Sequence, residues 1–189
     1  YHTPELLVDL LAPALPARPL RVLDLGCGTG LFGAAFKAPL RHLAGIDLSP
    51  RMIARARERG LYDELIVGDL LTLLDETPAR SFDLLAAADV FNYVGKLNPV
   101  FSAAARVLEP GGWLAFSIET ASTPDAAYTL DVTGRYRHAP ERVVELAART
   151  GFAVCARNDA TLRYEKDQPV PGVLFVFQWL AGSAVSSSA

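Results

Sequence analysis

The sequence predicts an α/β fold, a mostly parallel sheet with helices on both faces. Three observations predict it. Short apolar runs alternate with helical patterns five times along the chain, which is the rhythm of β-α-β units. The apolar runs are continuous and do not alternate with polar residues, as expected of strands buried on both faces. The first run, "LRVLDL", leads straight into the glycine loop "GCGTG" at 26–30. Glycines there let the backbone turn sharply and approach a ligand closely.

The elements follow in order. "TPELLVDLL" reads as a short helix, with Thr3 as N-cap, Pro4 at the first helical position and Glu5 in the first turn. "APALPARP" is a proline-rich connector. After the first strand and its loop, "GLFGAAFKA" starts a helix that Pro39 ends. "RHLAGIDL" is the second strand, and Ser49-Pro50 opens the helix "RMIARARERG", which stops at Gly60. "ELIVGDL" and "SFDLLAAADV" are the third and fourth strands. "NPVFSAAARVL" is a helix, and "EPGG" turns the chain into the strand "WLAFSIE". Residues 120–139 show no periodicity and read as an insertion or lid. "APERVVELAART" is a helix ending at Gly151. "FAVCARNDATLRYEKD" and "VLFVFQWL", joined by a turn at "QPVPG", read as an antiparallel hairpin. Residues 1–180 are expected to form one domain, with 181–189 a disordered Ser/Ala tail.

Of 189 residues, 51% are hydrophobic and 21% charged, and the formal net charge is −3. These values describe a globular chain large enough for a sizeable core, without a basic nucleic-acid footprint. Two cysteines, Cys27 and Cys155, lack disulfide-framework or metal-ligand spacing, so no metal site is expected. A reducing cytoplasm is the expected setting. No run reaches membrane-spanning length and no signal peptide is visible.

The glycine loop reads in two registers. Gly28-x-Gly30-x-x-Gly33 is the dinucleotide-binding spacing. Asp24-x-Gly26-x-Gly28-x-Gly30 is a different loop, with a carboxylate before the glycines. Asp47 ends the second strand, 19 residues after Gly28, near the offset at which an acid takes ribose hydroxyls. Either register accommodates that acid. Asp24 discriminates: a carboxylate there repels a pyrophosphate but favours the cationic end of S-adenosylmethionine (SAM). Gly68-Asp69 ends the third strand, where a carboxylate can accept a hydrogen bond from an adenine amino group. The C-terminal hairpin also departs from a dinucleotide half-fold.

"VLDLGCGTG", "GIDLSPRMIARARERG", "DELIVGDL", "FDLLAAADVFNYV" and "VLEPGGWLAFSIE" occur in that order. Together they resemble the class I SAM-dependent methyltransferases from about Leu20 to Leu180. The flanks "YHTPELL", "GRYRHAPERVVELAARTGF" and "LRYEKDQPVPGVLFVF" are similar to bacterial methyltransferases fused behind TPR repeats, which implies a TPR-type domain upstream. The resemblance implies a doubly wound, Rossmann-like three-layer αβα sandwich, with a seven-stranded sheet of order 3-2-1-4-5-7-6 and strand 7 antiparallel. It also implies roles. Gly26, Cys27, Gly28 and Gly30 wrap the methionine part of SAM, with Asp24 nearby. Asp47 takes the ribose hydroxyls, Leu48 and Met52 flank the adenine, and Asp69 takes its amino group beside Gly68 and Leu70. Ala88 and Asp89 face the methionine ammonium and the transfer site.

An acceptor hydroxyl or amine can require a base. The candidates are Asp89, Asn92 and Tyr93 after the fourth strand, and Tyr128, Arg135, Tyr136 and His138 in the insertion. His138 is the first choice, because imidazole titrates near neutrality. Arg135 and Arg137 are candidates for binding an acidic substrate, and Tyr1 and His2 for folding over the cofactor pocket. The expected reaction moves the SAM methyl group to an oxygen or nitrogen of a small-molecule acceptor. The alternatives are a non-catalytic SAM-binding or partner-binding module and an NAD(P)-dependent oxidoreductase. Tyr93 and Lys96 lack the Tyr-x-x-x-Lys spacing that would favour the last.

Overall fold

A computed structural model of the chain describes residues 2–121 and 126–181. Tyr1, residues 122–125 of the expected lid and residues 182–189 of the expected 181–189 tail lie outside the described residues. Seven strands form one sheet: β1 (Leu20–Leu25), β2 (Leu40–Asp47), β3 (Glu64–Val67), β4 (Phe82–Ala87), β5 (Leu108–Glu119), β8 (Phe152–Glu165) and β9 (Gln168–Trp179). Two short strands, β6 (Tyr128–Leu130) and β7 (Tyr136–His138), pair separately. The sheet order is β3-β2-β1-β4-β5-β9-β8. This is the expected 3-2-1-4-5-7-6 once the two short strands are set aside. β9 runs antiparallel to both its neighbours.

Helices cover both faces. On one side α4 (Leu70–Glu76), α5 (Asn98–Val107) and α6 (Pro140–Arg149) pack on the sheet through Leu74, Phe101, Val107, Val143 and Ala147. A chain of rings links this core to the C-terminal strands: Phe101 meets Phe116 and Phe152 edge-on, and Phe175 stacks on Phe177 at 5.2 Å. Such pairs contribute about 0.5–1.5 kcal/mol each beyond burial. On the other side α1 (Thr3–Leu11) and α2 (Leu31–Ala35) pack through Leu7, Leu11 and Phe32, and α3 (Pro50–Glu58) lies against β2 and β3.

Several local expectations are corrected. Thr3 is the first residue of α1, not its cap; its hydroxyl donates to the Leu162 carbonyl at 2.7 Å, tying α1 to β8. α2 ends at Ala35, earlier than Pro39 requires. A helix, α4, stands where none was read; Asp69 caps it by accepting from the Thr72 N–H at 2.9 Å. Part of the insertion forms the β6–β7 hairpin, where Tyr128 and Tyr136 meet edge-on. "EPGG" lies within β5, at the register shift between the Phe82–Leu108 and Leu84–Trp113 pairings. The C-terminal turn falls at Lys166-Asp167, both at positive φ, in a two-residue loop. Right-handed strand twist favours such turns. Pro169 and Pro171 therefore lie inside β9. The Pro171 carbonyl accepts from the Thr120 N–H, on the side away from β8. Along a strand that is also the side of the missing proline N–H, so no bond to β8 is lost.

Candidate functional site

The carboxyl ends of β1, β2, β3 and β4 converge on one cavity of about 520 Å³, a size suited to a small-molecule cofactor. Gly26, Gly28, Asp47, Leu48, Met52, Gly68, Asp69, Leu70, Ala88, Asp89 and Tyr93 line it. A smaller cavity of about 190 Å³ shares Gly26, Gly28, Met52 and Ala88 and continues under Pro4, Asp24 and Cys27. Open parallel sheets bind ligands at this end, where the strand order reverses; here it reverses between β1 and β4.

The loop after β1 owes its shape to its glycines. Gly26, Gly28 and Gly30 all hold positive φ, a region costly for other residues. A Cβ on Gly26 would come within 2.6 Å of Val90, whereas one on Gly28 would meet nothing within 4 Å. Gly28 therefore exposes bare backbone to the cavity. Cys27 is buried, its N–H bonded to the Ile46 carbonyl, and burial pushes its thiol up. It offers the cavity backbone, not a nucleophile.

Asp47 joins the loop to the second strand. Its Oδ2 accepts from the Gly28 N–H at 3.0 Å and its Oδ1 from the Ser49 N–H at 2.8 Å. Ser49 in turn caps α3. A carboxylate has about four lone-pair sites, so two remain for ligand hydroxyls. Asp69 spends Oδ1 on Thr72, and its Oδ2 makes no hydrogen bond among the described residues. Leu48 and Met52 keep 72% and 40% of their surface exposed beside these carboxylates. Such apolar surface at the cavity has no partner among the described residues and suits a flat ring. Asp24 is wholly buried and pushed up to about 7, chiefly by desolvation.

The acceptor-side candidates separate. Asp89 and Tyr93 line the cavity. Asp89 sits at φ 59, with its N–H bonded to the Ser117 hydroxyl. Its carboxylate takes Arg163 at 2.7 Å and Asn92 at 3.2 Å. Burial raises its pKa and Arg163 opposes the shift. Tyr93 is 63% exposed. His138 does not line the cavity. It is buried with Nε2 2.9 Å from the Phe91 carbonyl, and burial lowers its pKa. Arg135 pairs with Glu165 and Arg137 with Asp131. Tyr128 and Tyr136 crowd Gly95. His2 precedes α1, whose Pro4 reaches the smaller cavity.

Sequence reasoning missed Tyr62, Arg163, Glu119 and Ser117. Arg163 reaches Asp89, Glu119 and Glu165 at once. No local pattern in "TLRYEKD" announces this; only the register of β8 does.

A family model described as a methyltransferase domain matches residues 23–116. A ubiquinone biosynthesis O-methyltransferase of Xylella fastidiosa is 34% identical over 131 residues, covering 67% of this chain and 52% of that protein. The chain thus spans about half the length of the curated relatives it matches. A SAM-dependent methyltransferase structure from Mesorhizobium loti superposes with a TM-score of 0.66 at 25% identity, covering 90% of this chain and 96% of the other. The Burkholderia thailandensis 1,6-didemethyltoxoflavin-N1-methyltransferase, bound to that compound and S-adenosylhomocysteine, shares the fold. Its TM-score is 0.73 at 16% identity, over 92% of this chain and 76% of the other.

Proposed function

We propose that this chain, which belongs to the class I SAM-dependent methyltransferases, transfers the SAM methyl group to an oxygen or nitrogen of a small-molecule acceptor. SAM is the cofactor of this family. The observation that carries the reading is Asp47. It holds the glycine loop through Gly28 and keeps acceptor capacity for paired hydroxyls, next to Asp69 just past the end of the neighbouring strand. The bare backbone at Gly28, the exposed Leu48 and Met52, and the buried Asp24 carboxylate, without an arginine or lysine partner among the described residues, fit an adenosine joined to a cationic amino acid.

SAM supplies a methyl carbon already activated by its sulfonium. The protein contributes position and electrostatics, and near-attack geometry is worth roughly 7–11 kcal/mol. Asp47, Leu48, Met52, Gly68, Asp69 and Leu70 hold the adenosine. Gly26, Cys27, Gly28 and Gly30 offer backbone to the amino-acid end, with Asp24 beneath it. Ala88 and Asp89 border the same end, and Tyr93 faces the acceptor at the cavity mouth. His138 fixes the turn at 91–93 that carries Tyr93. With SAM bound, the acceptor's oxygen or nitrogen would take the methyl group as the sulfonium leaves as a neutral thioether, Tyr93 would orient the acceptor, and the acceptor's proton would pass to water.

The acceptor class draws support from the Xylella relative, named for an O-methyltransferase, and from the exposed Tyr93 and Leu48 at the mouth. The test has two stages. S-adenosylhomocysteine is titrated calorimetrically, with NADP as the competing ligand. Phenols, catechols and N-heterocycles are then screened for SAM-dependent release of S-adenosylhomocysteine. Binding of S-adenosylhomocysteine with turnover on one class supports the reading. Binding of NADP instead overturns it, and SAM binding without turnover across the panel assigns a binding role.

A further inference from the structure

Three glycines in different elements surround one ring. A Cβ on Gly30, Gly33 or Gly45 would come within 3.0, 2.8 and 2.9 Å of Tyr62. They belong to the cofactor loop, to α2 and to β2. The slot they leave admits the Tyr62 ring from the α3–β3 connector and brings its hydroxyl beneath the loop. There the hydroxyl donates to Asp24 Oδ2 at 2.6 Å and accepts from the Gly33 N–H at 3.2 Å. Gly33 is the glycine that completed the dinucleotide spacing in the sequence. Here it accommodates a tyrosine.

The surroundings of Asp24 are short of positive charge. Its sheet neighbours are Gly45 on β2 and Ala86 on β4. The titratable groups facing it are Tyr62, Asp47 and Cys27. No arginine or lysine pairs with it among the described residues. A carboxylate this buried needs a cation or a hydrogen-bond donor, and the Tyr62 hydroxyl is its one side-chain donor there.

We infer that Tyr62 is a positioning residue of the cofactor site, orienting the Asp24 carboxylate through its hydroxyl toward a cationic ligand amine. The inference rests on the reading that the paired cavities hold SAM. Burial pushes Asp24 up to about 7, and the Tyr62 hydrogen bond opposes that shift. Removing the hydroxyl raises Asp24 further, so less of it is ionised at neutral pH.

The test compares the chain with Tyr62→Phe, which keeps the ring in its slot, and with Asp24→Asn. S-adenosylhomocysteine and 5′-methylthioadenosine, which lacks the ammonium, are titrated calorimetrically from about pH 6 to about pH 8, and thermal melts check folding. The unaltered chain is expected to bind S-adenosylhomocysteine more tightly as pH rises. Tyr62→Phe is expected to bind it about tenfold more weakly at pH 7, with the gap narrowing as pH rises. Asp24→Asn is expected to remove the pH dependence, and methylthioadenosine to bind the chain and Tyr62→Phe alike. Equal affinities for the chain and Tyr62→Phe, a loss uniform in pH, or an equal loss for both ligands overturns the inference and leaves the cofactor reading intact. If Tyr62→Phe does not fold, a pH-dependent preference for the ammonium ligand that Asp24→Asn abolishes supports the inference, and no such preference overturns it. An unaltered chain that binds neither ligand overturns both.

Discussion

The carboxylates on the two sides of the cavity are held in opposite ways. On the β1–β3 side, Asp24, Asp47 and Asp69 are bonded by backbone N–H groups and hydroxyls, and none has an arginine or lysine partner among the described residues. On the β5–β9 side, Asp89, Glu119, Glu165 and Asp131 are all paired with arginines. Neutral donors orient a carboxylate and leave its charge available to a ligand. Guanidinium groups consume that charge and stiffen the wall. On the proposed reading the first side receives cationic and hydroxyl-bearing groups, and the second holds its shape beside them.

Arg163→Met tests this contrast with the largest expected effect. Arg163 keeps only 12% of its side-chain surface exposed between Asp89 and Glu119. Its removal leaves two buried carboxylates unpaired, at a cost of about 3–5 kcal/mol in denaturant unfolding at pH 8. The deficit is expected to shrink toward pH 5 as Asp89, already pushed up by burial and deprived of Arg163, protonates. A deficit independent of pH would break the comparison.

On the other side the expected loss is in binding. On the proposed reading Asp47→Ala removes two charge-assisted bonds to the cofactor, so calorimetry is expected to show affinity for S-adenosylhomocysteine falling by about 100-fold or more. Its stability cost is expected to be smaller than that of Arg163→Met.

Asp24→Asn gives a smaller effect of opposite sign. The folded chain holds Asp24 up to about 7, whereas an unfolded aspartate titrates near 3.9. Between those values the folded state carries a proton that the unfolded state has released. Asp24 therefore destabilises the ligand-free fold as pH rises through that window, and the penalty is complete above it. Asp24→Asn is expected to be more stable than the unaltered chain by about 1 kcal/mol or more at pH 8, with the advantage gone near pH 4. Thermal melts across pH read this directly. Met52→Ala, which trims a part-exposed side chain, is expected to weaken cofactor binding only about three- to tenfold in the same calorimetry.

The same two sides divide what the sequence made legible. On the β1–β4 side each signal is local. Apolar runs mark strands, and Ser49-Pro50 and Asp69 mark helix starts, the second serving as a cap besides the ligand role read for it. The carboxylates at strand ends follow from the sheet, because ligands bind outside those ends. On the β5–β9 side the signals weaken. The hairpin turn uses Lys166-Asp167, without a glycine, and the prolines that looked like the turn sit where no bond to β8 is lost. β6 and β7 are three residues each, too short for a period to show.

The sequence by itself determined the α/β alternation, the glycine loop with Asp24 before it, and the acids closing the second and third strands. These depend on backbone conformation and on periods of two to seven residues, which neighbouring side chains dictate. Only the tertiary structure decided that Gly33 makes room for Tyr62, that Asp89 faces Arg163 across 74 residues, and that His138 turns inward to Phe91. Those meetings follow from strand order and register, which bring distant side chains within hydrogen-bond reach and leave no trace in local composition.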